Sequence, residues 1–202
     1  MRGNEVIGIL FAYVHEERVR ELTQNRVMAS IPFGGRYRLV DFPLSNMVNS
    51  GMSKVGVITE ENYQSLMDHL VSGKSWDISR KSEGLYLLPP FGAEIRRTDG
   101  KIESLASIMR FLENSHEEYV LLSDCDTVMN IDYRDVFKFH TDKQADITVI
   151  YRHGQSPDTD KNVLYTVDPE GVVRDMLIKR GSDADCNYAV GMRLMSRELL
   201  IR

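Results

Sequence analysis

The feature that most constrains this chain is the alternation of short, wholly apolar runs with stretches of helical period. Residues 6–11 read VIGILF, and residues 54–59 (KVGVIT) and 119–123 (YVLLS) are nearly as apolar. A strand with one face in water alternates apolar and polar side chains, whereas a continuous apolar run of this length is buried on both faces. Between the runs, Pro43, Leu44, Met47 and Val48 fit a helix that begins near Asp41 and stops at Gly51. Residues 62–70 fit another helix, with Leu66 and Leu70 one turn apart and Gly73 as its stop. Residues 101–114 set Ile102, Leu105, Met109 and Leu112 on one face, and residues 133–140 form a further helical stretch. Later strands are expected at 146–152, 163–168, 171–178 and 187–195. Strand and helix in alternation predict an α/β fold with a mainly parallel central sheet and helices on both faces. Ligands of such sheets gather at the carboxyl ends of strands, so the turns after Phe11, Thr59 and Ser123 are where a site is expected.

A length of 202 residues suffices for one domain with a sizeable core. The net charge of −5 lacks the electrostatic footprint of a nucleic-acid binder, though a local basic pocket for a small anion remains compatible with it. Cys125 and Cys186 are too far apart for a zinc or redox spacing and read as buried free thiols. Arg2 and Glu5 interrupt any apolar leader, and no apolar run approaches the length that spans a membrane. A cytoplasmic protein is expected, without nucleic-acid or membrane partners.

The longest distinctive string is IPFGGRYRLVDFPLSN at residues 31–46, followed by Asn49, Ser50 and Gly51. Taken alone, it is equally a glycine turn before a helix, with arginines on a solvated face. Together with Leu22, Thr23, Arg26, residues 62–69 (NYQSLMDH), residues 87–90 (LLPP), Asp126, Asp132, Tyr133 and Gly191, it resembles the landmarks of the ADP-glucose pyrophosphorylase family. The resemblance covers nearly the whole chain. It implies a Rossmann-like nucleotide-diphospho-sugar transferase domain over residues 1–202, with strands 6–11 and 119–123 adjacent near the sheet centre. It also implies a longer protein, continuing through the rest of this domain into a left-handed β-helix domain. The reaction implied is attack by a glucose 1-phosphate oxygen on the α-phosphorus of ATP, with release of pyrophosphate and with Mg²⁺ as cofactor.

The departures from the family pattern are as informative as the matches. The family places a loop of the form G-G-x-G-x-R-L after the first strand, where glycines let backbone N–H groups approach phosphates. Here Tyr13, Val14 and Glu16 stand at the three glycines, and Glu16 and Glu17 bring carboxylates to a place meant for a triphosphate. Arg18 keeps its position and is a candidate catalytic residue. Residues 13–22 read instead as a helix with Glu16 and Glu17 near its positive end. Met28 replaces a family lysine, and Phe91 and Gly92 replace paired glutamines. The family's G-T-A-D-A segment becomes Gly100-Lys101-Ile102-Glu103-Ser104, leaving Gly100 and Glu103 as substrate-binding candidates.

Asp126 matches the metal-holding aspartate and is the candidate Mg²⁺ ligand and catalytic residue; the other reading is a cap on the following turn. The family's second metal aspartate would fall beyond residue 202. Lys179 stands where the family holds glucose 1-phosphate, though without its glutamate neighbour, and reads equally as an exposed strand lysine. Arg26, Arg36 and Arg38 are candidates for an effector or anion site, with a solvated face as the alternative for Arg36 and Arg38. His15, His69 and His140 make no metal spacing and read as packed or surface histidines. Tyr63, Trp76 and Phe91 read as core or interface aromatics.

Catalysis in this family is mostly positioning and charge stabilisation, and removing a single positioned donor typically costs on the order of 10²–10³ in rate. Several are absent here. The resemblance therefore implies a regulatory subunit of the glycogen-biosynthesis branch, paired in an oligomer with a catalytic ADP-glucose pyrophosphorylase subunit, nucleotide and sugar phosphate being its possible ligands. The alternatives are an active sugar nucleotidyltransferase with rearranged phosphate contacts, and a structural subunit that binds no ligand.

Overall fold

The computed structural model describes residues 4–13, 19–70, 73–78, 84–89, 100–157, 161–179, 181 and 184–202. Where the sequence reads as one domain, the chain forms two compact units, Met1–Thr148 with Leu194–Arg202, and Val149–Arg193.

The first unit is built on four parallel strands in the order β5 (Gly84–Leu88), β4 (Lys54–Ile58), β1 (Val6–Phe11) and β6 (Tyr119–Asp124). β1 lies between β4 and β6, with Ile9 opposite both Gly56 and Leu122. All six β1 residues are buried, as a wholly apolar run requires. Successive side chains of a strand point to opposite faces. On one face Ile7, Ile9 and Phe11 join Val120, Leu122, Ile108 and Leu112 in a core cluster. On the other, Gly8 lies under Met47 of α2 (Asp41–Asn49), where a Cβ would come within 2.5 Å of the Met47 sulfur. The sheet is thus covered on both sides, and β1 and β6 are adjacent as expected.

Several helices differ from the sequence expectation in length or phase. α2 ends at Asn49, and Gly51 follows at φ +95°, the left-handed geometry that makes glycine a stop. α3 (Gln64–Leu70) begins two residues later than expected because Asn62 adopts φ +62°. The stretch 101–114 is two short helices, α4 (Lys101–Ser107) and α5 (Met109–Glu113), broken at Ile108, whose ψ of 13° interrupts the helical run. Its buried side is Ser104, Ile108 and Leu112, while Ile102, expected inside, is 79% exposed. Leu105 and Leu112 of the expected face do pack on the core, and Ile108 joins them from outside that face. Of the helix expected over 13–22, the described residues hold one turn, α1 (Arg20–Thr23); residues 14–18, Glu16 and Glu17 among them, lie outside the described residues. The short hairpin of β2 (Pro32–Phe33) and β3 (Tyr37–Arg38), turned by Gly34 and Gly35 at positive φ, was not anticipated, nor was β5 as a strand. α6 (Tyr133–Lys143) follows β6, and α7 (Arg197–Ile201) is tied back by the Arg197 backbone N–H donating to the Glu118 carbonyl at 2.7 Å.

The second unit takes up most of β7 (Ile147–Gln155) and β10 (Asp185–Ser196), together with all of β8 (Asn162–Val167) and β9 (Val173–Lys179). β8 pairs antiparallel with β9 and with β10, and β7 pairs with β10. These are the four later strands expected from the sequence, with bounds moved by a few residues. β9 is exposed along its whole length.

Candidate active site

The carboxyl ends of β1 and β6 lie side by side, because Phe11 is in register with Asp124. Beyond β1, the Ala12 N–H donates to the Ile58 carbonyl and the Ala29 N–H donates to the Ala12 carbonyl, both at 2.9 Å. Tyr13 then packs against the core cluster with its ring edge-on to Phe11 at 6.4 Å, and its hydroxyl hydrogen-bonds the Ser104 hydroxyl in α4. A bulky side chain fastened to a helix thus stands at the first glycine position of the family's phosphate loop. Met28, at the lysine position, is buried in a 3-10 turn, Met28–Ser30.

β6 ends in Asp124, whose residue is 2% exposed. Lys101, the first residue of α4, places its ammonium 2.5 Å from Asp124 Oδ1 and 2.6 Å from Oδ2, and 5.3 Å from the centre of the Phe11 ring. α4 is therefore bonded to the region just beyond β1 through Tyr13 and to the end of β6 through Lys101. Cys125 comes next and is fully buried. Burial pushes its thiol well up from its ordinary range, Asp124 and Asp126 add to the effect, and Lys101 opposes it. A thiol held protonated in this way is a packing group and not a nucleophile. Asp126 is half-buried and accepts from the Thr127 hydroxyl at 3.4 Å. The acid that caps the following helix is Asp132, which accepts the Arg134 backbone N–H at 3.0 Å. The same arginine's side chain and backbone hold the Asp132 carboxyl at about 2.

Gly100 is the extended residue before α4, and the Glu103 carboxylate folds back on it, so that a Cβ at residue 100 would sit 2.2 Å from Glu103 Oε2. An acid in a first helical turn is favourably placed with respect to the helix dipole. Of the three arginines considered for an anion site, Arg36 is exposed and Arg26 half-buried. Arg38 donates to the Ser65 carbonyl at 2.5 Å and hydroxyl at 2.8 Å. Its backbone N–H donates to Asp41 at 2.9 Å, and Asp41 also meets His69 Nε2 at 2.6 Å. Trp76 donates to the Ser45 hydroxyl at 3.1 Å and lies edge-on to His69. The distinctive motif at 31–46 thus ties β3, α2 and α3 together. Lys179 ends β9 in the second unit, exposed and opposite Asn162. Arg18, Phe91 and Gly92 lie outside the described residues.

The links Tyr13–Ser104 and Lys101–Asp124 were not anticipated. Tyr13 and Lys101 were visible as foreign residues in a family pattern, but their partners are 91 and 23 positions away in sequence. The same geometry bears on the implied Mg²⁺. Two carboxylates stand at the end of β6, and one of them already carries an ammonium. Among the described residues no group of three or more His, Cys, Asp or Glu could hold a metal. Among the described residues, then, the end of β6 does not bring together a complete set of ligands for a divalent cation.

A parallel α/β core with its candidate site at the strand ends is the architecture of ligand-binding open α/β domains, nucleotidyltransferases among them. A family model described as Nucleotidyl transferase matches residues 15–179, and the chain belongs to that family. It is 36% identical over 157 residues to the glycogen biosynthesis protein GlgD of Bacillus subtilis, covering 77% of this chain and 46% of that protein. It is 38% identical over 158 residues to GlgD of Geobacillus stearothermophilus, covering 76% and 46%. To the glucose-1-phosphate adenylyltransferase of Clostridium kluyveri it is 34% identical over 151 residues, covering 74% and 39%. The chain thus spans less than half the length of these relatives. A crystal structure described as a glucose-1-phosphate thymidylyltransferase from Bacillus anthracis in complex with sucrose superposes with a TM-score of 0.72 at 15% identity, over 96% of this chain and 73% of that one. At that identity the likeness concerns the fold. Among the described residues no helix is long and apolar enough to cross a membrane.

Proposed function

We propose that this chain is a regulatory glycogen-biosynthesis subunit of the glucose-1-phosphate adenylyltransferase type, with weak or no ADP-glucose synthesis of its own. The observation that carries the reading is the Tyr13–Ser104 link. A phosphate loop works by leaving backbone N–H groups open to an anion. Here the chain puts an aromatic ring and an internal hydrogen bond at the loop's first position, and buried Met28 supplies no charge to a phosphate. The GlgD relatives support the glycogen branch. In this reading the chain acts in the cytoplasm, within an oligomer that includes a catalytic subunit.

A second reading, an active nucleotidyltransferase with altered phosphate contacts, is favoured by Asp126, which stays half-buried just beyond the central strand. Pyrophosphate release from ATP and glucose 1-phosphate separates the two. The chain alone is expected to turn over far below roughly 1 s⁻¹, an ordinary enzyme rate, and to change the rate or effector response of a catalytic subunit added to it. Turnover at that ordinary rate by the chain alone would sink the regulatory reading and uphold the second. Calorimetric titration with ATP, glucose 1-phosphate and ADP-glucose tests both against a purely structural role, for which none of the three would bind.

A further inference from the structure

We propose that Lys101 is a built-in cation: its ammonium occupies the Asp124 carboxylate at the end of β6, and the site has no use for a divalent metal ion. The geometry is specific. Asp124 is almost wholly buried, and a buried carboxylate needs a partner to remain charged. Lys101 approaches both of its oxygens, at 2.5 and 2.6 Å, from the first residue of α4. The ammonium also lies over the Phe11 ring at 5.3 Å, so the strand end on either side of it is engaged. Mg²⁺ is normally held by one or two carboxylates together with substrate phosphates. Here one carboxylate is already neutralised, and a dication would meet a fixed positive charge beside the other. The position is the second residue of the segment that reads G-T-A-D-A in the resembling family, where the family has an uncharged threonine.

This inference deepens the regulatory reading but is tested without turnover. Mn²⁺ serves as the probe, followed by electron paramagnetic resonance and by calorimetry, on the full chain. K101Q, which removes the charge and keeps a polar, slightly shorter side chain, is expected to bind Mn²⁺ at least about tenfold more tightly than the unaltered chain, since a nearby unit charge has been removed. The double variant K101Q/D124N is expected to lose that gain. Equal affinity in K101Q and the unaltered chain, with K101Q folded by circular dichroism, overturns the proposal. A measurement that does not depend on K101Q folding is Mn²⁺ binding by the unaltered chain: binding that D126N abolishes also overturns it. If instead the metal result holds while the chain alone makes ADP-glucose at an ordinary rate, the regulatory reading fails and the built-in cation stands.

Discussion

At the scale of single residues, a few polar groups are turned inward and help to hold the fold. Lys54 is buried at the start of its strand, with its ammonium 2.9 Å from the Ser115 hydroxyl, 3.5 Å from Glu117, and over the rings of Phe111 and Tyr86. His140 is buried in α6, its Nδ1 2.8 Å from the Thr148 hydroxyl and its ring edge-on to Tyr119. Burial disfavours the imidazolium and lowers its pKa below the usual 6.5, against a smaller opposing pull from Asp146. Above pH 6.5 the ring is neutral folded or unfolded and carries no penalty. As pH falls below that value, the unfolded chain takes up a proton the folded one resists, so stability is lost. Thermal melts from pH 8 to pH 5 are expected to show this loss beginning near 6.5, and H140Q, which cannot charge, should flatten it. An unchanged slope in H140Q would place the pH dependence elsewhere.

At the scale of elements, the fit between the central strand and α2 decides how closely they pack. Gly8 permits the approach, with Met47 directly over it. G8A is expected to destabilise by about 1–3 kcal/mol through overpacking. M47A on its own opens a space, and together with G8A the two defects offset one another, so their effects should be less than additive in urea unfolding. Strict additivity would show that the contact is not what limits residue 8. The α4–α5 break follows the same logic. Ile108 and Leu112 enter the cluster made by Ile7, Ile9, Phe11, Val120 and Leu122, and the helix bends where the core takes Ile108.

For the whole molecule, the two compact units differ in how deeply their strands are buried. β1 is wholly buried, whereas every residue of β9 is exposed, including Met176, Leu177 and Ile178. Opening free energies follow buried apolar packing. Native-state hydrogen exchange should therefore find the amides of β1 and β6 slowest, near the limit set by global unfolding, and those of β9 faster. Equal protection of β9 and β1 would mean that both units open only together.

The sequence by itself determined the class of fold and the core strands β1, β4 and β6, though not β5. Residues 6–11 and 119–123 are too apolar to be anything but buried strands, and glycines and prolines mark where the helices between them stop. It also showed that Tyr13, Met28 and Lys101 depart from the pattern of the resembling family. It could not give the phase of 101–114, because Ile102 and Ile108 are equally apolar and only packing against β1 selects the second. Nor could it give the links that close the strand ends. Tyr13 meets Ser104 and Lys101 meets Asp124 because parallel pairing sets Phe11 beside Asp124 and α4 reaches both strand ends. Hydrogen bonds and ion pairs between residues distant in sequence depend on that register, and register belongs to the folded sheet.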